Sequence, residues 1–157
     1  MRQQGGFTLI EIVLAMAVLV VILMMAVPSM NGLMADRGLR RSLEEMNRLV
    51  VQAQERSIAE GRAYLIVWKN KQFQLRPELF LKGETRGAVA SLKWEKGDAY
   101  TLSFPASIEE EPPSEWIFWP SGNCEPAVVT FNGNYGKWKA NYSALTGRAE
   151  LVYYATR

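Results

Sequence analysis

The first third of the chain carries two different hydrophobic patterns placed end to end. Apolar residues run almost unbroken from Phe7 to Val27, and only Thr8 and Glu11 interrupt them. As a helix, this run is long enough to cross a hydrocarbon core of about 30 Å. From Asp36 onward, apolar residues instead recur at spacings of three and four, which is typical of one face of an amphipathic helix. The residues of this stripe are Leu39, Leu43, Met46, Val50 and Ala53. The pattern predicts a transmembrane helix segment over 7–27 and an amphipathic continuation over 28–61.

Pro28 and Gly61 mark the expected irregularities of this helix. A proline removes one helical hydrogen bond and crowds the preceding turn, so we expect a kink at Pro28. The alternative is that the helix ends there. Gly61 follows Glu60 and is a typical stop signal. Opposite charges spaced four residues apart predict two ion pairs on the outer face. These pairs are Arg41 with Glu45 and Glu44 with Arg48.

Beyond Gly61 the pattern changes to short runs rich in β-formers, separated by turn residues. The predicted strands cover residues 63–68, 72–75, 89–94, 100–104, 116–119, 127–131, 137–142 and 148–154. Turn signals include Asn132-Gly133-Asn134 and Thr146-Gly147. The chain is therefore predicted to be an α+β protein. Its long amino-terminal helix packs on an antiparallel β-sheet domain over 62–157, whose core most of the tryptophans and tyrosines fill.

Glu11 is the residue in the apolar run that most needs an explanation. A carboxylate within a membrane helix costs about 2.5–3.5 kcal/mol on insertion scales, and such residues are usually functional. We expect no local group to satisfy Glu11, so its best partner is a cation at the same depth in a neighbouring subunit. The alternative is a protonated side chain that reaches toward the nearby membrane face.

The amino terminus resembles the class III signal of type IV prepilins and type II secretion pseudopilins. A short polar leader, Met1 to Gly6, precedes Phe7, and then Glu11, the apolar run and Pro28 follow in the family's register. The resemblance implies that prepilin peptidase cuts after Gly6 and that the new amino terminus, Phe7, is N-methylated. It also implies that Glu11 sets the register of a filament by pairing with the Phe7 amine of another subunit. Residues 1–6 would then be a leader peptide.

The rest of the chain looks like the H-type minor pseudopilins, the GspH/FimT-like family. The resemblance rests on the helix over 39–61, on Phe118 to Gly122 (Phe-Trp-Pro-Ser-Gly) and on Leu145 to Leu151 around Gly147. It implies a pilin-like, β-sandwich-like domain and a minor pseudopilin, a structural subunit of the type II secretion pseudopilus. The implied partners are other pseudopilins, the prepilin peptidase/N-methyltransferase, the inner-membrane assembly platform and, before assembly, membrane lipid. Glu11 argues against the extreme tip position, because the tip subunit of such filaments lacks this glutamate.

This resemblance places the protein in the bacterial inner membrane as a single-pass protein, with its domain in the periplasm and later in the periplasmic pseudopilus. The distribution of charge favours the opposite orientation. Only Arg2 precedes the span, whereas Arg37, Arg40 and Arg41 follow it. We follow the motif, because these arginines lie about ten or more residues beyond the span, where their topological influence is weaker.

Composition argues against an enzyme and against a bound cofactor or metal. The chain has no histidine, which excludes Ser-His and Cys-His nucleophiles, and it has no cysteine/histidine cluster with zinc spacing. Cys124 is the single cysteine, so no intramolecular disulfide can form. We expect a small buried residue or a loop thiol there, and the alternative is a disulfide to another molecule. Glu109-Glu110-Glu111 is interpreted as a solvated acidic loop rather than a calcium site.

Two other functions remain open at this stage. One is a minor pilin of a type IV pilus, including a FimT-like DNA-uptake pilus. DNA is not an expected partner, because phosphate binding favours clustered cations, whereas Lys137, Lys139, Arg148 and Arg157 are scattered along the chain and Glu150 lies among them. The other is a periplasmic ligand-binding domain on an uncleaved membrane anchor.

Overall fold

The computed structural model describes residues 8–69, 71–105 and 115–157, with the backbone alone for 25–31. One helix is followed by eight strands within these ranges. The helix α1 spans Leu9–Glu60. The strands are β1 (Tyr64–Lys69), β2 (Gln72–Pro77), β3 (Ala90–Lys93), β4 (Ala99–Ser103), β5 (Glu115–Phe118), β6 (Ala127–Gly133), β7 (Gly136–Tyr142) and β8 (Ala149–Thr156). Each predicted strand is present, with its ends shifted by a residue or two.

Helix α1 is continuous over 52 residues. The helical backbone continues through Pro28, so the alternative that the helix ends at this proline is wrong. The kink at Pro28 stays a prediction. Thr8 is the N-cap residue, with extended backbone angles, so the helix begins two residues later than predicted. Gly61 ends the helix in the left-handed conformation (φ 63°), which glycine adopts without steric cost. Within the described residues, no helix combines the length and hydropathy needed to cross a membrane.

The strands form two antiparallel four-stranded sheets. The first has the order β3-β2-β1-β5 and the second the order β4-β6-β7-β8. The β1–β2 hairpin pairs Tyr64 with Pro77 and Lys69 with Gln72. This arrangement confirms the predicted α+β class, with a helix packed on antiparallel sheets.

The β6–β7 turn lies two residues later than predicted. Strand β6 continues to Gly133, which pairs with Gly136, so Asn134 and Tyr135 form the turn instead of Asn132-Gly133-Asn134. The physical reason is the close approach of Gly136, at φ 143°, to the carbonyl of Ala155 on β8. A side chain there would overlap that backbone, so Gly136 fixes the point where the hairpin reverses.

The predicted stripe on α1 is the face that packs against the sheets. Leu39, Met46, Val50 and Ala53 are fully buried, and Leu43 is packed against the core with partial exposure. Aromatic side chains bridge the two sheets through successive ring contacts. The rings in this series belong to Phe73, Trp94, Tyr100, Phe131 and Trp138. Most of the predicted aromatic core is confirmed, whereas Trp119 and Tyr153 are 39% and 46% exposed.

Polar tips of buried aromatic residues fix α1 to the second sheet. Trp138 Nε1 donates to Ser42 Oγ at 2.8 Å, and the Tyr142 hydroxyl donates to Asn47 Oδ1 at 2.6 Å. The Tyr154 hydroxyl donates to Asp36 Oδ1 at 2.7 Å. Each ring thereby buries apolar area while its donor is satisfied. These bonds fix the rotation of the helix about its axis as well as its distance from the sheet.

The ion pairs on the outer face of α1 agree only partly with the prediction. Arg41 Nε lies 2.8 Å from Glu45 Oε1, as expected. In the described part of the chain Glu44 and Arg48 form no ion pair, so that prediction is wrong. Other pairs at the same spacing join Arg40 to Asp36 at 2.9 Å and Arg56 to Glu60 at 3.3 Å. Such exposed pairs contribute only a few tenths of a kcal/mol each, which is too little to impose one geometry on two flexible side chains.

Candidate assembly site

Glu11 lies in the first turn of α1, exposed to solvent, and has a local partner. The backbone N–H of Thr8 donates to Glu11 Oε2 at 3.4 Å, and the N–H of Glu11 donates to the carbonyl of Thr8 at 3.0 Å. The expectation that no local group satisfies Glu11 is therefore wrong. The reason is the position of Glu11 at the third residue of the helix, where its carboxylate reaches back to the cap and meets the positive end of the helix dipole. The long contact and the exposure leave both carboxylate oxygens able to accept another donor.

The other residues predicted to act in processing lie outside what the structure describes in full. Gly6 and Phe7, the proposed cleavage and methylation positions, precede the described residues. For Pro28 the backbone alone is described. Their roles stay predictions that rest on the sequence motif.

Apolar side chains are exposed around the whole helix over Leu9–Met24. The large ones among them have relative exposures between 49% and 83%. Burial of apolar area contributes about 25 cal/mol per Å², so this segment is strongly driven toward lipid or toward other apolar helices. Glu11 is the one charged residue within this stretch.

Cys124 is buried, with 2% exposure, as the sequence predicted. Its Sγ donates to the carbonyl of Ser143 at 3.4 Å, and burial raises the pKa of the thiol to about 11. The thiolate is the reactive form of cysteine, so burial and the raised pKa both disfavour reaction of this thiol at neutral pH.

Sequence reasoning missed a polar clasp beyond the end of α1. Arg62 forms an ion pair with Glu60, and a second one with Glu84 in the β2–β3 connection. Arg62 Nη1 also donates to the carbonyl of Leu79 at 3.2 Å, and Glu84 Oε2 accepts from the backbone N–H of Leu81 at 2.8 Å. Hydrogen bonds from Arg62 hold the pKa of Glu84 down at about 2. No signal in the sequence indicated this pairing, because the two residues are 22 positions apart.

No metal-binding cluster is found within residues 8–69, 71–105 and 115–157. In these ranges no three side chains among histidine, cysteine, aspartate and glutamate are arranged to hold a metal ion. The acidic run Glu109–Glu111 lies outside the described residues, so its interpretation as a solvated loop stays a prediction.

Comparisons with known proteins agree with the motif and the fold. The family described as the prokaryotic N-terminal methylation motif matches residues 1–27. The structure is similar to the minor pseudopilin EpsH from the type 2 secretion system of Vibrio cholerae, at 12% identity and a TM-score of 0.51, over 72% of this chain and 94% of that one. It is also similar to the type IV minor pilin FimU of Pseudomonas aeruginosa, at 14% identity and a TM-score of 0.54, over 74% of this chain and 89% of that one. No curated protein sequence matches the chain.

The chain therefore carries an N-terminal methylation motif on a pilin-like fold. The predicted resemblance to type IV pilin-like proteins is confirmed in the sequence motif and in the fold. The similar structures are those of structural subunits, one a pseudopilin and one a pilin.

Proposed function

We propose that this protein is a minor pseudopilin, a structural and assembly subunit of a type II secretion pseudopilus. The observation that carries the proposal is the exposed apolar helix with Glu11 near its start, which lies within the matched motif of residues 1–27. The likeness to EpsH supports the same assignment. In this proposal the subunit waits in the bacterial inner membrane as a single-pass protein with its domain in the periplasm, and it is not an enzyme.

Processing prepares the subunit for assembly. Prepilin peptidase cuts between Gly6 and Phe7, and the exposed amine of Phe7 is methylated. The assembly platform then moves the apolar helix from lipid into the filament, where other pseudopilins cover it. Apolar packing alone tolerates many registers, whereas a charge pair in a low-dielectric surrounding favours one. Glu11 therefore sets the register by accepting the Phe7 amine of an adjacent subunit.

The processing step is tested by mass spectrometry of the amino terminus from the native host. The expected result is a chain that begins at Phe7 and carries one added methyl group. A Gly6→Val variant serves as the matched control and should keep residues 1–6. If the wild-type chain retains its leader permanently, the filament assignment fails, and a periplasmic ligand-binding domain on an uncleaved anchor takes its place.

The register role of Glu11 is tested by incorporation into filaments. Glu11→Gln keeps the shape and the bond from the Thr8 N–H but removes the charge, so the variant should insert in the membrane and fail to enter filaments. Met16→Ala, a change in the same exposed segment, should enter normally. Normal incorporation of Glu11→Gln would contradict the register role.

The second candidate is a minor pilin of a type IV pilus, which the likeness to FimU favours. Deletion of the gene separates the two candidates. Loss of secreted proteins from the medium supports the pseudopilus, whereas loss of surface pili with normal secretion supports the pilus. Binding of the purified chain to duplex DNA, measured at two salt concentrations, tests the DNA-uptake form of the second candidate.

A further inference from the structure

A cleft of about 300 Å³ lies where α1 enters the domain, between the helix and the two sheets. One wall is the β3–β4 turn with Trp94, Glu95 and Asp98, and the opposite wall is Tyr135 in the β6–β7 turn. The N–H of Asn134 donates to Asp98 Oδ1 at 3.2 Å, so the two turns hold each other in place. The size suits one side chain, at the lower end of the range for ligand sites.

Aromatic rings form the floor and one side of this cleft. Tyr100 is 3% exposed and lies 5.0 Å from Trp94 and 4.8 Å from Phe131, between ring centroids. Tyr135 is 47% exposed and lies flat on the helix backbone at Gly38, where an added Cβ would come within 2.6 Å of the ring. The rings that a bound side chain can reach are therefore Tyr135 and the partly buried Trp94, and Tyr100 packs behind Trp94.

The charged groups around the cleft leave a negative excess. Five charged residues line it: Arg41, Glu45, Lys93, Glu95 and Asp98. Arg41 is paired with Glu45 at 2.8 Å and also faces the charge of Glu95, and Asp98 accepts from the N–H of Asn134. Two cations against three carboxylates leave the lining with one net negative charge. Exposed carboxylates beside aromatic faces attract cations, since ring faces carry partial negative charge.

We infer that this cleft receives an arginine side chain from a neighbouring subunit. A guanidinium group is planar, stacks on aromatic faces and donates in a fork to carboxylates, whereas an ammonium group does so less well. The inference rests on the proposed function for the nature of the partner, because the proposed filament supplies other subunits as neighbours. It adds a contact between globular domains to the contact between apolar helices.

The binding step is tested on the full-length chain in detergent micelles, with N-acetyl-arginine-N-methylamide as the probe. The readout is the indole N–H resonance of Trp94, assigned by its loss in Trp94→Phe. We expect a saturable shift with a Kd in the millimolar range. The double variant Glu95→Gln/Asp98→Asn should weaken binding by roughly tenfold, because it removes two charge-assisted acceptors without changing their shape. Glu44→Gln, a carboxylate on the exposed face of α1 outside the cleft, should leave the affinity unchanged.

Three results would overturn the inference. They are a non-saturable shift, an equal response to the leucine analogue, and unchanged affinity in the double variant whose melting temperature matches that of the wild type. Equal affinity for the lysine analogue would overturn the assignment of a guanidinium. None of these results depends on leader cleavage, so failure here leaves the proposed function standing, and a retained leader would leave the cleft's affinity for the probe unaffected.

Discussion

The two halves of helix α1 share one backbone and have opposite environments. Over Leu9–Met24 large apolar side chains point to solvent on every face. Between Leu39 and Ala53 most apolar residues keep to one stripe that is buried against the sheets, and Val51, at 47% exposure, lies off it. The second half therefore owes its stability to the domain, whereas the first half has no partner among the described residues and must find one in another molecule.

The boundary between the halves is set by specific contacts rather than by a break in the helix. Leu33 and Met34 are 54% and 65% exposed, whereas Ala35 is buried and Asp36 accepts from the hydroxyl of Tyr154. The transition from free to packed helix thus occurs within a single turn. This comparison teaches that hydrophobic pattern, and not helix propensity, divides the helix into an exposed segment and a segment packed on the domain.

The largest expected difference in the free energy of unfolding is between alanine substitutions of two methionines on α1, one buried and one exposed. Met46 is fully buried and Met16 is 62% exposed. Met46→Ala should lower the free energy of unfolding of the domain by about 2–5 kcal/mol, because it leaves a cavity in the core. Met16→Ala should leave that free energy unchanged. Urea unfolding followed by tryptophan fluorescence measures both, since all five tryptophans lie beyond residue 61.

Equal losses in the two methionine variants would show that the halves of α1 fold as one cooperative unit. The m-value offers an independent check, since it scales with the surface exposed on unfolding. It should be the same in Met16→Ala as in the wild type if the first half takes no part in the transition.

The sequence predicted the features that depend on neighbouring residues, and it did not predict contacts between residues far apart in the chain. The stripe on α1, the stop at Gly61 and the strands follow from local periodicity and turn chemistry, and all were confirmed. The clasp of Arg62 with Glu84 and the placing of Tyr135 on Gly38 join residues far apart in the chain, so no local pattern contained them. The hydrogen bond between Glu11 and the helix cap is local but was not predicted. The expectation for Glu11 took account of side-chain partners and not of the free N–H groups at the helix start.

Alanine substitutions at two glycines, Gly61 at the end of the packed half of α1 and Gly32 before it, test how the backbone conformation affects stability. Gly61 has φ 63°, and a side chain there would meet no neighbour within 4 Å, so strain alone decides the effect. Gly61→Ala should destabilise the domain by about 1–2 kcal/mol, because a residue with a Cβ resists the left-handed region. Gly32 has ordinary helical geometry and equally open surroundings, so Gly32→Ala should stabilise the local helix by about 0.5–1 kcal/mol. Urea unfolding measures the first effect, and amide hydrogen exchange around residue 32 measures the second.

A pair of tyrosines tests the contact at the boundary. The hydroxyl of Tyr154 donates to Asp36, whereas Tyr153, its neighbour on β8, is 46% exposed. Tyr154→Phe should cost about 1 kcal/mol of stability and loosen the first turn of the packed half, since a hydrogen bond of this kind contributes roughly that much. Tyr153→Phe should change neither quantity. Thermal unfolding together with amide exchange over residues 33–40 distinguishes the variants, and equal behaviour of the two would remove Tyr154 as the boundary contact.

The smallest effect concerns the clasp beyond the packed end of the helix and depends on pH. Hydrogen bonds from Arg62 lower the pKa of Glu84 to about 2 from an ordinary value of 4.5. A carboxylate with a lowered pKa in the folded state stabilises the fold above its ordinary pKa, and this contribution is lost as the pH falls from about 4.5 toward 2. The melting temperature of the wild type should therefore exceed that of Glu84→Gln by about 2 °C at pH 7, a small gap since the pair is partly exposed. The gap should close between pH 4.5 and pH 2. A gap that stayed constant over this range would mean that the Glu84 carboxylate is not the group that Arg62 stabilises.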